Sequence, residues 1–366
     1  MTKNPFDLPK LPPKINYEIL VEDIAKAHAS IARLDAMLSL VKNPRLLSRT
    51  LITKEAVLSS QIEGTQATLS EVFEHEAKGT EKEDTSKWRD FQEIINYRNA
   101  LERGVVLLKA RPLSENLIKE LHSILLRSAR GHARGPGEFR RKQVYIGRQG
   151  LGIEYASYVP PIPTVIPELF SNLENYIHSS EERDLLVRIA VSHYQFEAIH
   201  PFEDGNGRIG RLLISLMLYE KKLLSYPFIY LSEFFEEHRQ DYYDLLRGVS
   251  EKNAWEEWVS FFLRGLDQQA IKAQGAVKSI LDLHAAMEEK ILDISSIYAH
   301  DFLEALFVQP VFTSRTIRIL LHAKGYQTVF TLIQKFQTAG IISDITPSQR
   351  RNKIYRFNAL NEILKR

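Results

Sequence analysis

The 366-residue sequence contains no cysteine. That excludes disulfides, thiolate metal sites and a cysteine nucleophile. It also has no long apolar run. The longest fall far short of the roughly 20 residues that a membrane-spanning helix needs, so no membrane contact is expected. The N-terminal stretch MTKNPFDLPKLPPK lacks the apolar core of a secretory signal, and the expected compartment is the cytoplasm. Net charge is small, at +2. The chain as a whole is no polycation, so any role with nucleic acid would need a local patch. There is no internal repeat, heptad array or low-complexity tract. What remains is ordinary for a soluble globular protein, with 44% apolar and 26% charged residues. The length allows two or three domains.

Proline density in residues 1–14 predicts an extended arm. Apolar residues recurring at three and four predict helices over 16–44, 46–78, 88–109 and 113–129, with Pro112 and Ser114 marking a start. KGTEKEDTSK reads as a charged turn or loop. Glycine and proline crowd residues 131–163, where VYIG and YASYV are β-prone pieces around a Gly-rich turn; a loop carrying a hairpin is expected. The pattern is helical again from 164 to about 290, and roughly 296–366 reads as separate.

Residues 200–211 read HPFEDGNGRIGR and lead into the apolar run LLISLML. Taken singly, each residue has an ordinary role. A histidine before proline is a turn or cap residue, Asp-Gly is a turn, and arginines at a helix start are solvated. Together they suggest chemistry. The first N–H groups of a helix lack intrahelical partners and its dipole favours an anion. Glycines let that backbone approach a ligand, the general recipe for a phosphate-binding turn. Arg208 and Arg211 are three apart and share a face, and two guanidinium forks suit a polyphosphate. Asp204 offers an oxygen ligand for Mg²⁺ bridging phosphate oxygens. A neutral His200 beside the cradle can take a proton from an attacking hydroxyl.

This stretch resembles the Fic family signature H-x-F-x-(D/E)-G-N-G-(K/R)-x-x-R at every fixed position: His200, Phe202, Asp204, Gly205, Asn206, Gly207, Arg208 and Arg211. PGEFR at 136–140, then QVYIG and YVPP, is similar to the family's lead into its β-hairpin flap, and the resemblance spans roughly 15–265. It implies adenylyl transfer, moving AMP from ATP to a Ser, Thr or Tyr hydroxyl of a target protein or of the chain itself. His200 would be the general base, and Asp204 would hold Mg²⁺ or Mn²⁺. Gly205, Asn206 and Gly207 would form the anion cradle, with Gly210 also counted as nucleotide-binding. Arg208 would bind the β-phosphate and Arg211 the γ-phosphate, while Phe202 anchors the loop. The flap, about 144–158 with Val144, Tyr145 and Ile146, would pair with an extended target segment. LSEFFEEHRQDYYDLL resembles the family's nucleoside-closing helix, with Tyr242 and Tyr243 as an aromatic wall or one of them as core.

SSQIEG, residues 59–64, reads alone as a helix terminus ending on glycine. Beside the first motif it resembles the family's inhibitory helix, (S/T)-x-x-x-E-(G/N), through Ser59, Glu63 and Gly64. Glu63 would pair with Arg211 and deny ATP a productive pose. The same glutamate in some family members positions a water that removes AMP, so removal of AMP stays open as an alternative. At the C-terminus, TSRTIRILLHAKG, QTVFTLIQKFQTAGII and SDITPSQRRNKIYRF resemble a winged helix-turn-helix with helix 326–339 as reader; a DNA-binding regulator is the other functional class. DNA or a protein would be the partner there, and a homodimer is a further expectation. The expected architecture is mainly α: a Fic-type helical core with a small β-hairpin flap and a C-terminal winged helix. The boundaries are 1–110 with the inhibitory helix at about 46–64, a core over 111–265, a linking helix over 266–300, and 301–366.

Overall fold

A computed structural model of the chain describes residues 4–41, 43–79, 86–127, 135–147, 152–321 and 325–365. Most of the charged KGTEKEDTSK loop, the end of the helix expected over 113–129, the turn of the flap and residues 322–324 lie outside them.

The architecture is mainly α. The arm over 4–14 has no regular structure, although Leu8 and Leu11 are buried. A single 3-10 turn, Tyr17–Ile19, precedes α1 (Val21–Ser39), so the helix expected over 16–44 is shorter at both ends. The helix expected over 46–78 is two helices, α2 (Arg45–Ile62) and α3 (Leu69–Lys78). Gly64, at φ +95°, ends the first in a conformation closed to most side chains. Thr68 starts the second with a reciprocal capping box to Glu71.

Next come α4 (Ser86–Leu108) and α5 (Glu115–Leu125), the latter capped by Ser114. After the irregular segment follow α6 (Ile166–His178), α7 (Leu185–Ile199) and α8 (Asn206–Glu220). Nearly every residue of α7 and α8 is buried, so these two form the centre of the core. Then come α9 (Leu231–Glu237), α10 (Arg239–Lys252) and the long α11 (Trp255–Ile291). The boundary expected at 265/266 falls inside α11, which runs unbroken through it. Among the described residues, no helix is long and apolar enough to cross a membrane.

The last part is ordered α12 (Ala299–Val308), β1 (Val311–Thr313), α13 (Ser314–Leu320), α14 (Tyr326–Thr338), β2 (Ser343–Asp344), β3 (Ile354–Arg356) and α15 (Asn358–Lys365). Its strands form an antiparallel sheet in the order β1-β3-β2, with Phe312 opposite Tyr355 and Asp344 opposite the same residue on the other side. Lys335, the cation of α14, bonds the Ser295 carbonyl. This module packs on α2 and α3: Arg356 pairs with Glu74 at 2.7 Å, and Ser70 donates to Asn361 at 2.9 Å.

Candidate active site

α7 ends where the site begins. His200 is its C-cap and holds the left-handed conformation at φ 50° and ψ 60°. A non-glycine residue there is uncommon and persists only where its surroundings enforce it. The enforcing group is Arg140, a buried side chain from the segment before the flap. It donates to the carbonyls of His200 (Nε, 2.8 Å), Pro161 (Nη2, 2.5 Å) and Lys142 (Nη1, 3.2 Å), while its own N–H donates to Pro201 (2.9 Å). Tyr158 adds a bond from its hydroxyl to the Ala198 carbonyl at 2.8 Å. These donors occupy carbonyls that a helix end leaves without intrahelical partners.

The His200 Nδ1 lies 3.3 Å from the Glu197 carbonyl. A carbonyl only accepts, so Nδ1 carries the hydrogen and Nε2 is the basic nitrogen. Burial pushes the imidazole down to about 4, against a smaller upward pull from the bond to the Glu197 carbonyl. It is therefore neutral at physiological pH.

The loop from 201 to 205 is tied from inside. Asn206 accepts from the Phe202 N–H and donates to the Phe202 carbonyl, both at 2.9 Å, and is itself buried. Its side chain is thus committed to the loop rather than to a phosphate; its backbone N–H remains for the cradle. Phe202 is buried and stacks on His122 at 3.7 Å. His122 Nε2 donates to the Asp204 carbonyl at 2.9 Å, because its Nδ1 accepts from the Gly137 N–H at 2.9 Å. Gly205, at φ +77°, turns the chain into α8.

Both arginines are buried rather than solvated. Arg208 faces Glu93 at 3.2 Å and Asp204 at 3.6 Å, yet its Nε and Nη1 make no hydrogen bond. Arg211 is fully engaged: Nε donates to the Ser59 hydroxyl (2.9 Å), and Nη2 to the Ser59 carbonyl (2.9 Å) and Glu63 Oε1 (2.7 Å). Burial opposes ionisation of Glu63, but the Arg211 charge and hydrogen bond outweigh it and hold the carboxyl below its ordinary range. The Glu63 side chain stays 39% exposed against 2% for Arg211, so the glutamate is the partner able to leave. A Cβ on Gly207 would lie 2.4 Å from Glu63 Oε1 and 2.8 Å from Arg211 Nη1. Only glycine lets the helix start, the arginine and the glutamate meet.

Gly210 does not belong to that cradle. It faces α7, where a Cβ would collide with Glu197 at 2.1 Å, so it serves the close crossing of the two central helices. The tyrosine pair divides similarly. Tyr242 is core: buried, stacked on Phe235 at 4.4 Å and bonded to His193 Nε2 at 3.0 Å. Tyr243 is 40% exposed and lines a cavity of about 640 Å³ with Ile146, Tyr158, Tyr194, Glu197 and Arg247. The volume falls in the range of small-molecule sites, which are mostly apolar with a few polar groups. The flap is slighter than a full hairpin. Among the described residues its pairing is one bridge, Ile146 with Tyr158, with Val144 half-buried beside it and Tyr145 exposed.

Sequence reading missed Arg140, His122, Glu93, Tyr97 and Glu55. Arg140 was visible only as the last letter of PGEFR. Glu55 precedes Ser59 and Glu63 by four and eight residues, so all three share one face of α2. Its carboxyl is buried, accepts from Ser232 and from Tyr97 (3.3 Å), and burial drives it up to about 8. The sign follows. A carboxyl raised in the fold is protonated there while its unfolded counterpart ionises, so stability is greatest at and below pH 4.5 and is lost as pH rises toward 8. Glu55→Gln removes that titration. In thermal melts, the Tm drop between pH 5 and pH 8 should shrink by a few degrees in the variant; an unchanged drop would show that Glu55 does not titrate in this interval.

Two family models match the chain in adjoining stretches: the Fic/DOC family N-terminal region over residues 21–106 and the Fic/DOC family itself over 112–218. A probable protein adenylyltransferase of Aquifex aeolicus is 29% identical over 204 residues, 55% of this chain and 56% of that one. The protein adenylyltransferase Fic of Culex quinquefasciatus is 35% identical over 119 residues, 31% of this chain and 20% of its own length. The chain therefore spans about half of the first relative and a fifth of the second. Among solved structures, a Fic family protein from Desulfovibrio desulfuricans superposes with a TM-score of 0.60 at 22% identity, covering 95% of this chain and 98% of that one. Fic-1 of C. elegans superposes at 0.55 and 21% identity over 72% and 75%.

Proposed function

The chain belongs to the Fic/DOC family, and from that premise we propose that it is a protein adenylyltransferase held off by its own Glu63. The observation that supports this reading best is the convergence of Arg208, Arg211 and the glycine-lined start of α8 beside a neutral His200. Both guanidiniums are buried; Arg208 has N–H groups without a hydrogen bond, and Arg211 already holds an anionic oxygen, that of Glu63, which suits the pair to an anion with several oxygens.

In the reaction, the oxygen of a Ser, Thr or Tyr hydroxyl on the acceptor attacks the α-phosphorus of ATP. The bond from that phosphorus to the α,β-bridging oxygen breaks, and pyrophosphate leaves with the bonding electrons. The hydroxyl proton passes to His200 Nε2. The product is an AMP phosphodiester on the acceptor. The chain's other groups hold charge in place, which is most of what phosphoryl-type transfer requires. Arg208 takes the β-phosphate, and backbone N–H groups at Asn206 and Gly207 face the α-phosphate. Arg211 takes the γ-phosphate once Glu63 has withdrawn. Tyr243 and Tyr158 wall the nucleoside cavity, and the 144–147 segment holds the acceptor.

Asp204 is a single carboxylate, and among the described residues no cluster of three or more metal-ligating groups occurs. That fits Mg²⁺ or Mn²⁺ held by one carboxylate plus substrate phosphates and water, as Mg²⁺ commonly is. Such an ion would neutralise phosphate charge in the cradle.

A pH test follows from His200. The base must be neutral to work, and in the fold it protonates only near pH 4. The kcat/KM of a Glu63→Gly variant should stay flat from pH 8 down to about pH 5, with any acid limb no higher than about 4, because the variant also loses the small upward pull of the Glu63 charge on His200. An acid limb at the ordinary histidine value, about 6.5, would mean His200 is hydrated or is not the base.

A further inference from the structure

The N-terminal arm has no secondary structure, yet it is docked along its length. Asn172 of α6 holds both backbone groups of Leu11: its Oδ1 accepts from the N–H at 2.8 Å and its Nδ2 donates to the carbonyl at 3.2 Å. Gln195 of α7 donates to the Pro9 carbonyl at 3.4 Å. Leu8 and Leu11 are 6% and 7% exposed. At the far end the arm reaches the flap. The Phe6 N–H donates to the Val159 carbonyl at 3.0 Å, and the Phe6 ring stacks on Tyr158 with centroids 5.0 Å apart and planes 18° from parallel.

Tyr158 is the residue on which the flap hangs. Its carbonyl accepts from the Ile146 N–H at 2.8 Å, and its N–H shares the Ile146 carbonyl at 3.2 Å. Its hydroxyl is bonded to Ala198, two residues before His200. Backbone groups alternate in direction along an extended segment. With Tyr158 facing Ile146, the carbonyl of Val159 points to the opposite edge, and that is the group Phe6 takes. The arm thus covers the flap's edge at Val159.

We propose that the N-terminal arm is a strut for the acceptor-holding flap, and that Phe6 is its positioning residue, acting through Tyr158. This rests on the transfer reading above. A two-stranded element is marginal by itself in water. The one bridge found among the flap's described residues needs something outside it to fix the second strand if an acceptor hydroxyl is to stay in line with the α-phosphorus. Phe6 fixes it from one side and the Tyr158 bond to Ala198 from the other, so flap and His200 share a frame. The arm also keeps an acceptor strand off the flap's edge at Val159, whose carbonyl it already takes.

The experiment uses the full chain in a Glu63→Gly background, alone and with Phe6→Ala or Phe6→Tyr. Three quantities are read: the rate of AMP labelling of protein, on the chain itself and in a lysate, at saturating ATP; the ATP dissociation constant by calorimetry; and amide hydrogen exchange at Ile146, Ser157 and Tyr158. Phe6→Ala is expected to slow labelling about tenfold through misalignment of the acceptor. Exchange at those amides should quicken, while the ATP dissociation constant stays within about twofold. Phe6→Tyr keeps the ring and should restore all three. Unchanged flap exchange in Phe6→Ala overturns the strut, and so does a labelling loss matched by an equal loss of ATP affinity. If the Glu63→Gly parent labels nothing, the transfer reading fails; the exchange data then decide the strut by themselves.

Discussion

Replacing Glu63 by glycine should raise AMP transfer by about two orders of magnitude at saturating ATP. The change acts through Arg211. It is buried, and burial alone would disfavour its charge, but Glu63 holds it well above its ordinary range. In the resting chain, Ser59 and Glu63 occupy its Nε and Nη2. A γ-phosphate approaching this arginine meets a carboxylate instead, and a Cβ-sized space at Gly207 is already filled by Glu63 Oε1. Under the proposed brake, ATP would place its nucleoside in the cavity with its phosphates displaced. A displacement of about 1 Å at a reacting centre costs on the order of a hundredfold in rate. Glycine removes the carboxylate and leaves the Ser59 contacts, so the arginine stays placed while its outer face opens. Glu63→Gln should give a smaller gain, since the amide retains bulk and a hydrogen bond but not the charge. Single-turnover labelling of wild type and both variants checks the order. Equal rates in all three would remove the brake from the account.

The second large effect runs the other way. His200→Ala in the Glu63→Gly background should lower the transfer rate by about 10²–10⁴, the range for loss of a positioned general base. ATP affinity should change little, because the imidazole lies outside the phosphate cradle. The separation is diagnostic: loss of kcat with binding kept marks an interaction made in the transition state. Arg140 predicts a related but milder defect. Its bonds hold His200 in the left-handed conformation, so Arg140→Lys, which loses the fork, should reduce kcat with the same binding. A loss of ATP affinity as large as the loss of rate in His200→Ala would assign the imidazole to binding instead.

The site was legible where its residues are contiguous. HPFEDGNGRIGR carries the histidine, the aspartate, the glycines and both arginines in one turn and one helix start, so local chemistry was enough to read them together. Glu63 needed the resemblance, because a glutamate before a helix-ending glycine has an ordinary reading. Arg140, His122 and Tyr158 could not be found by pattern. Each acts on the site from a distant part of the chain, Arg140 and Tyr158 from irregular segments and His122 from α5, and what makes it functional is a backbone carbonyl or N–H that only the fold brings near. The adjacent tyrosines show the limit of helical phase. Tyr242 and Tyr243 differ by one position, and the choice between core and cavity is made by Phe235 and His193 on other helices. In the same way, the division of 46–78 into two helices escaped periodicity, since apolar residues that become buried stand on both sides of the turn at Gly64.

Transfer of AMP is read from the position of the label. Purified Glu63→Gly protein is incubated with Mg²⁺ and ATP labelled at the α-phosphate in one reaction and at the γ-phosphate in another. Both are repeated with Glu63→Gly/His200→Ala. The account predicts label on protein from the α position alone, and none in the double variant. Label arriving from the γ-phosphate, or no label on protein while ATP demonstrably binds, would contradict it.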